Sequence, residues 1–353
     1  MGRKLWIALV AAVVALGMGE GLARVLPLPH LALKNLIIDE DRRMLVPHPY
    51  LAYAPSASKR IVTRNGKQTF THNALGFRGP EITRAKPEGT FRIVACGGSS
   101  TYGKGPSGDE HTWPFLLEQA LEAQFPGRAF EVVNAGAFGY STFETLINMA
   151  LRIVSLDPDL VLIYHGINDV RLWTWRPGPV PDNTNWRAVY PTQRAPGGIE
   201  RWLEKSRLYL VWRRYHTDYW PHSTQLATYV IRNFDTGSHM TRRIPTEGPA
   251  LFERNLRSIV GIARSHEIPV AFGTQAFHPD DYKRPSDQAG QETTWRILKD
   301  LGAELSVPVA DLAAQMPSQR QLFTNEVHFS DEGSRILAGL WKRFLVGSGL
   351  LGG

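Results

Sequence analysis

The stretch RIVACGGSSTYG, residues 92 to 103, decides the fold. Its apolar run ends abruptly in two glycines and two serines, which is typical of a buried strand that leaves a sheet through a tight turn. Such a junction can bind phosphate, expose a nucleophile or simply turn the chain. The stretch contains neither a Walker pattern nor G-x-G-x-x-G, and this disfavours a phosphate-binding loop.

From Phe91 onward the pattern alternates between strands and helices. The sequence predicts strands at 91–96, 130–136, 159–169 with the loop that follows it, 269–275 and 307–312, and helices at 112–125, 141–156, 247–266, 288–303 and from about Asp331. The helix at 141–156 opens on Ser141 with Glu144 at capping-box spacing. Helices of this length between strands imply crossover connections, and hence a parallel sheet with helices on both faces. The single cysteine, Cys96, excludes an internal disulfide and is expected to be a small buried residue.

Three of the predicted strands run into polar loops, which read GGSS (97–100), NAG (134–136) and HGIND (165–169). Because ligand chemistry in such sheets collects beyond the carboxyl ends of the strands, we expect these loops to meet at one edge. A serine that attacks an ester carbonyl needs a base and needs donors for the developing oxyanion. Ser99 or Ser100, the backbone N–H of Gly136 and the side-chain amide of Asn168 are suitable parts, and a histidine would be the base.

These residues carry a family resemblance. GGSSTYG resembles the first block of the SGNH (GDSL-type) hydrolases, with Gly98 where many members have Asp and with Ser99 at the nucleophile position. The resemblance continues through Gly136 and through GIND, and it ends at His328 in NEVHFSDEG. It spans about residues 91–345, with the four blocks in the family's order. The preceding NALGFRGPE is similar to a membrane-anchored branch of such proteins.

The resemblance implies an α/β fold, namely a three-layer, flavodoxin-like parallel sheet of the SGNH-hydrolase type. It also implies Ser99 as the nucleophile and His328 as the general base. The implied oxyanion hole consists of the N–H groups of Ser99 and Gly136 and the amide of Asn168. No cofactor is expected, and no metal, because the histidines show no metal-binding spacing such as H-E-x-x-H.

One position departs from the family pattern. The usual Asp-x-x-His is here Asn325-Glu326-Val327-His328. An Asn can accept a hydrogen bond from the imidazole but cannot neutralise the imidazolium, and in a Ser-His-Asp protease the equivalent change costs about 10⁴ in turnover. Glu326 can replace the acid, a backbone carbonyl can orient His328 in a dyad, or the protein is slow or inactive. We favour a dyad assisted by Asn325 or a carbonyl, because adjacent residues on an extended segment point opposite ways.

Two further histidines lie past predicted strand ends. His165 directly precedes GIND and either lines the substrate pocket or is a buried structural residue. His278, followed by Pro279 and two aspartates, is the alternative base or metal ligand.

The N-terminus reads as an export signal. Arg3 and Lys4 precede an uncharged, mostly apolar run from 5 to 19 that stops at Glu20. The run is shorter than the about 20 residues of a typical span, but residues 21–23 extend it. We expect residues 1–25 to be an uncleaved signal anchor with its N-terminus in the cytoplasm and the remainder on the periplasmic or extracellular side. Secretion after cleavage is the alternative.

The remaining chain divides into a lead-in at 26–90 and a hydrolase-type domain at 91–347 with an insertion at 171–246. Residues 171–243 hold 12 of the 40 Lys and Arg residues, 5 of the 33 Asp and Glu residues, and six of the ten tryptophans. This segment forms a cap over the crevice, rests on an anionic membrane surface, or covers the sheet. Within it, RWLEKSRLYLVWRRY (201–215) has the mixed composition of an amphipathic helix. No recognised nucleic-acid-binding module is present, and no nucleic-acid partner is expected.

The sequence thus favours an exported serine esterase that hydrolyses a small acyl ester, an O-acetyl group on an envelope carbohydrate. An O-acyltransferase on the same fold is chemically adjacent, because a sugar hydroxyl can intercept the same acyl-enzyme. A non-catalytic envelope binding or scaffold protein is the hypothesis of another class, and Asn325 motivates it.

Overall fold

The structure is a computed structural model. It describes residues 2–26, 44–48, 50–51, 53–63, 66–174, 178–182, 198–203, 205–209, 211–212, 243–281 and 284–352. These residues belong to two units, Met1–Arg43 with Arg187–Thr236, and Met44–Trp186 with Gly237–Gly353. The second unit, called the sheet unit below, contains all the candidate site residues.

The helices and strands follow in chain order. The strands are β1 (Leu45–Pro47), β2 (Tyr53–Pro55), β3 (Lys59–Val62), β4 (Thr69–His72), β5 (Thr90–Gly97), β6 (Ala129–Asn134), β7 (Leu160–His165), β8 (Val270–Thr274) and β9 (Val309–Ala310). The helices are α1 (Gly2–Val25), α2 (Ser99–Tyr102), α3 (Trp113–Gln124), α4 (Thr142–Asn148), α5 (Ile167–Thr174), α6 (Gly198–Leu203), α7 (Glu247–Ser265), α8 (Pro285–Leu305), α9 (Leu312–Gln315) and α10 (Asp331–Ser348).

Five parallel strands form the central sheet in the order β6-β5-β7-β8-β9. Within this sheet the chain enters at β5, continues to β6 at the edge, and then crosses back past β5 to β7. This is the doubly wound order of flavodoxin-like folds. The predicted parallel α/β fold is therefore confirmed. In such a sheet the crevice opens where the strand order reverses, between β5 and β7, and this places the loops after these two strands side by side.

Successive residues of β5 face opposite helical layers. Ile93 and Ala95 pack in the cluster that includes α3 and α10, whereas Val94 and Cys96 pack in the cluster that includes α4, α7 and α8. All four side chains are buried. A strand covered on both faces reads as a continuous apolar run, which is why RIVAC was recognisable from sequence.

The helix predicted at 141–156 is shorter than expected. Its capping box is present, since Glu144 Oε2 accepts from the Ser141 N–H at 2.7 Å and Ser141 Oγ accepts from the Phe143 N–H at 3.3 Å. After Asn148 the chain continues as a π-helical turn and then a 3₁₀ turn, ending at Leu156. Such irregular turns are not encoded in hydrophobic periodicity.

The lead-in forms two antiparallel hairpins, β1 with β2 and β3 with β4. Its last residues are tied to the sheet by Arg92, whose guanidinium is fully buried. Arg92 donates to the carbonyls of Thr83 at 2.9 Å, Arg84 at 3.0 Å and Leu156 at 2.6 Å, and it also pairs with Glu131. Residues 44–90 of the lead-in are thus part of the sheet unit.

The other unit contains α1, the one helix among the described residues that is long and apolar enough to cross a membrane. The expected continuous helix over 201–215 is interrupted. α6 ends at Leu203, and a new helical turn starts after Ser206, whose Oγ accepts from the Tyr209 N–H at 3.0 Å. Residues 213–215 lie outside the described residues.

The tryptophans of the insertion do not share one environment. Trp173 is buried against Phe252 in the core of the sheet unit. Trp202 and Trp212 are exposed. Trp175, Trp186 and Trp220 lie outside the described residues. At least one of the six tryptophans therefore serves the core.

We predict that Arg92→Met lowers the free energy of unfolding by about 3 kcal/mol, because it leaves the buried carbonyls and Glu131 without their hydrogen-bond donor. Urea denaturation of the full chain in detergent measures this change. Arg257→Met is the matched control, since Arg257 forms its ion pairs with Glu253 and Glu304 at the surface, and it should change stability little. Equal effects of the two substitutions would contradict the structural role of Arg92.

Candidate active site

Ser99 follows a sharp turn at the carboxyl end of β5. β5 ends at Gly97, Gly98 is extended, and Ser99 opens α2, in which the N–H groups of Thr101 and Tyr102 donate to the Gly98 carbonyl. A Cβ on Gly97 would lie 2.0 Å from Thr101 Oγ1 and 2.7 Å from the Tyr164 carbonyl. Position 97 therefore admits no side chain, and this lets the helix begin immediately after the strand.

Ser99 meets His328 at this edge. The Ser99 hydroxyl is 2.7 Å from His328 Nε2, although the two residues are 229 positions apart in the sequence. Ser100 has a different role, since its Oγ donates to the Val327 carbonyl at 2.9 Å and accepts from Gln275 Nε2 at 3.2 Å. The structure thus pairs Ser99 with the imidazole and uses Ser100 to hold the loop that carries it.

The environment of His328 favours a neutral imidazole. The side chain is buried, and burial together with the positive charges of Lys104 and Arg171 lowers its pKa well below the usual value. Within the described part of the chain, Nδ1 of His328 has no hydrogen-bond partner. The base of the predicted pair therefore lacks the acidic group that holds the imidazole in a catalytic triad.

Asn325 holds the backbone of this loop. Its Oδ1 accepts from the N–H groups of Val327 at 3.2 Å and of His328 itself at 3.1 Å. The Glu326 carboxylate binds Arg171 at 2.6 Å, so the structure does not turn it toward the imidazole. Asn325 can orient His328 through the loop backbone, which differs from the direct contact with the ring that we expected.

The predicted oxyanion donors do not behave alike. The amide of Asn168 donates to the Tyr140 carbonyl at 2.8 Å, and a Cβ on Gly98 would lie 2.5 Å from its Nδ2, so Asn168 is at the serine turn. The N–H of Gly136 donates instead to Asn134 Oδ1 at 3.1 Å. The structure thus gives the Gly136 N–H another acceptor than the expected one.

Gly136 instead permits a close approach of the backbone, because a Cβ there would lie 2.3 Å from the backbone nitrogen of Tyr102. The segment at Gly139 and Tyr140 approaches the residue directly before Ser99, since the Tyr140 carbonyl is 3.0 Å from a Cβ built on Gly98. Sequence reasoning missed this segment. Its signal was Gly139, which has a left-handed φ of 67°.

The comparisons with known proteins fit this geometry. Residues 95–336 match the family model of the GDSL-like lipase/acylhydrolase family, which covers more than half of the chain. The chain belongs to this family. As a member of an acylhydrolase family, it is a hydrolase of carboxylic esters. No curated protein sequence matches the chain.

Solved structures resemble this acylhydrolase at low sequence identity. A lipase/acylhydrolase from Enterococcus faecalis has 19% identity and a TM-score of 0.45, over 73% of this chain and 96% of that chain. A catalytic mutant of an acetylxylan esterase from Geobacillus stearothermophilus has 17% identity and a TM-score of 0.44, over 72% of this chain and 94% of that chain. Family membership rests on the family model.

His165 is the last residue of β7, shortly before α5, the helix that carries Asn168. It is buried, its Nε2 is 2.7 Å from Thr145 Oγ1, and burial lowers its pKa to about 3. The neighbouring Asp169 accepts from the Thr142 N–H at 3.1 Å and from its hydroxyl at 2.6 Å, and burial raises the pKa of this carboxyl to about 7. His165, at the end of β7, and Asp169, in α5, thus both bind side chains of α4, and these are the contacts of a buried structural residue for His165.

His278 supports the loop of His328. Its ring is buried against Phe323, and the backbone N–H of His278 donates to the Glu326 carbonyl at 2.8 Å. Among the residues that the structure describes, no group of three or more His, Cys, Asp or Glu side chains could hold a metal ion.

Arg78, in the lead-in, was missed by the sequence analysis. Its buried guanidinium donates to the carbonyls of Tyr102, at 2.8 Å, and Gly103, and its Nε pairs with Asp109 at 2.7 Å. These carbonyls terminate α2, the helix that begins with Ser99. Arg78 therefore fixes the helix that positions Ser99, through contacts that no local sequence pattern encodes.

We predict that Arg78→Lys lowers kcat by about ten- to a hundredfold with little change in KM, because the ammonium cannot reproduce the forked contacts and Ser99 shifts relative to His328. Kinetics with p-nitrophenyl acetate measure this split. Arg92→Lys is the matched control, because Arg92 is equally buried but lies near the start of β5, at the opposite end of the strand from Ser99. It should lower stability and leave kcat of the folded protein unchanged. An unchanged kcat in Arg78→Lys would refute the positioning role.

The lowered pKa of His328 predicts an unusual pH profile. Because the neutral imidazole is the active base, kcat/KM should stay constant as the pH falls below 6.5 and decline only well below that value. Asn325→Asp places a carboxylate on this loop, so it should raise kcat and move the acid limb to higher pH. Asn325→Ala, which removes the backbone hydrogen bonds without adding charge, should lower kcat and leave the limb in place. A wild-type limb at or above pH 6.5 would contradict this prediction.

Proposed function

We propose that this acylhydrolase is a membrane-anchored serine esterase that removes a small acyl group, an O-acetyl group, from an envelope carbohydrate. The observation that carries the proposal is the 2.7 Å contact between the Ser99 hydroxyl and His328 Nε2 at the carboxyl edge of the sheet. A hydroxyl hydrogen-bonded to a neutral imidazole is the arrangement that nucleophilic attack on an ester requires.

The reaction proceeds in two steps. Ser99 Oγ bonds to the carbonyl carbon while His328 Nε2 takes the hydroxyl proton, and His328 then gives that proton to the departing alcohol. Water, deprotonated by the same nitrogen, attacks the acyl-serine, and His328 returns this proton to Ser99 Oγ as the bond to the acyl carbon breaks and the acid is released. The Ser99 N–H and the Asn168 amide stabilise the oxyanion in both steps. Gly136, the third predicted donor, would have to release Asn134 Oδ1 first.

The site operates as a dyad in this proposal. Among the described residues, no carboxylate binds Nδ1 of the imidazolium that forms during attack, because Asn325 binds the loop backbone and Glu326 binds Arg171. Asn325 contributes by fixing the loop on which His328 stands. The expected consequence is slower turnover than that of a complete triad.

The location follows from α1. Arg3 and Lys4 at its start retain the N-terminus in the cytoplasm, so the sheet unit lies on the periplasmic or extracellular side. Envelope carbohydrates are the ester-bearing polymers that a hydrolase tethered there meets, and this supports the substrate class.

A non-catalytic binding or scaffold role is the second candidate, and membership of an acylhydrolase family argues against it. Among the described residues Nδ1 of His328 has no hydrogen-bond partner, and this favours such a role, since an imidazole without an orienting group is a weak catalyst. Acyl transfer to a sugar hydroxyl is the alternative outcome for an active enzyme.

A serine-reactive fluorophosphonate probe separates these functions. We expect the wild-type chain to be labelled and Ser99→Ala not to be labelled. Ser100→Ala is the matched control, and it should remain labelled at a lower rate, because it loosens the His328 loop without removing the nucleophile. Absence of labelling in the folded wild type would exclude the esterase. In parallel, release of acetate from acetylated sugars shows hydrolysis, whereas acetyl groups that appear on an added sugar alcohol show transfer.

A further inference from the structure

The one carboxylate of α1 is bound by a segment of the insertion. Glu20 accepts hydrogen bonds from the Ser206 hydroxyl at 2.8 Å and from the N–H groups of Arg207 at 3.1 Å and Leu208 at 2.9 Å. It also pairs with Arg24 at 2.7 Å, one turn further along α1. This satisfies a charge that would otherwise be costly in an apolar helix.

Packing extends this contact along the end of α1. A Cβ on Gly19 would lie 3.1 Å from the Leu208 side chain, so Leu208 rests on the helix where a side chain is missing. Arg24 Nη2 reaches the Lys205 carbonyl at 3.4 Å. Residues 205–208 are thus docked on α1 between residues 19 and 24, and the described residues of 198–212 around them are called the docked segment below.

The docked segment exposes large apolar side chains. Ile199 is 78% exposed, Trp202 is 67% exposed and Trp212 is 52% exposed. The adjoining part of α1 is also apolar and exposed, at Met18 and Leu22. Exposed apolar surface of this kind marks an interaction site, and here it continues the surface that α1 offers to lipid.

The length of α1 gives the depth of this segment. Its 24 residues extend about 36 Å at about 1.5 Å per residue, whereas the hydrocarbon core is about 30 Å thick. With the N-terminus of α1 at one interface, Glu20 and Arg24 lie near the other. Tryptophan is enriched at that level, and the cationic side chains of Lys205 and Arg207 suit anionic headgroups.

We infer that residues 198–212 form a surface-lying element, docked on the end of α1 through Glu20, whose exposed tryptophans insert into the headgroup region of the outer-facing phospholipid leaflet. The partner is the lipid surface itself. The inference rests on the membrane anchoring in the proposed function and is independent of the chemistry at Ser99.

Site-directed spin labelling of the full chain tests this inference. The native Cys96 is buried and does not take a label, so Trp202→Cys and Trp212→Cys each supply one site. Leu151→Cys is the matched control, because Leu151 is an exposed apolar residue, 54% exposed, on the sheet unit. In vesicles of phosphatidylethanolamine and phosphatidylglycerol, collisions with oxygen are compared with collisions with a water-soluble nickel chelate.

We expect the oxygen-to-nickel ratio at 202 and 212 to be severalfold higher than at 151. Equal ratios would overturn the inference. Glu20→Ala, combined with each label, should bring the ratio at 202 and 212 down toward that at 151, and an unchanged ratio would overturn docking through Glu20.

Carbonate extraction of the same vesicles tests the anchor separately. Release of the chain shows that the proposed anchor has failed. Retention with equal ratios shows that the inference alone has failed.

Discussion

The site depends on how closely the chain approaches itself where β5 ends. Gly97 lies against Thr101 and the Tyr164 carbonyl, and Gly98 lies against the amide of Asn168, which is 2.5 Å from where a Cβ would be. Many family members have Asp at the position of Gly98. A side chain there would displace Asn168 from the Tyr140 carbonyl, so the glycine and this placement of the amide belong together. The absence of side chains at Gly97 and Gly98 allows β5, Ser99 and the amide of Asn168, the proposed oxyanion donor, to meet within one turn.

The second requirement is a rigid loop under His328. Ser100, directly after the nucleophile, donates to the Val327 carbonyl, and Asn325 accepts from the N–H of His328. His278 binds the carbonyl between them. Three hydrogen bonds to the backbone of residues 326–328 therefore position the imidazole. This arrangement is a physical alternative to the usual carboxylate, which positions the ring directly through Nδ1, but it supplies no charge to stabilise the imidazolium.

Much of this architecture is local in sequence and was predictable for that reason. The buried strands are apolar runs, the Ser141 capping box closes within four residues, and the order of the family's blocks pointed to Ser99 and His328, whose side chains the structure brings together. The acceptor role of Asn325 was not predictable, because it depends on a loop conformation that the distant Ser100 stabilises. The clamp of Arg78 on α2 and the break of the expected helix at Ser206 likewise arise from tertiary contacts, which propensity does not encode.

The charges around His328 bear on attack by Ser99, because Nδ1 of His328 has no acidic partner among the described residues. Burial lowers the pKa of His328 most, and the positive charges of Lys104 and Arg171 lower it further because they oppose a positive charge on the imidazole. The same positive charges, of which that of Arg171 is paired with Glu326, favour a negative charge nearby, and in the proposed mechanism the oxyanion develops within a few bonds of the Ser99 oxygen. Transition-state stabilisation is thereby moved from the imidazolium to the oxyanion. In the proposed mechanism these charges make proton transfer to His328 less favourable and stabilise the tetrahedral intermediate. A neutral ester, which becomes anionic only on attack, is the substrate that such charges suit.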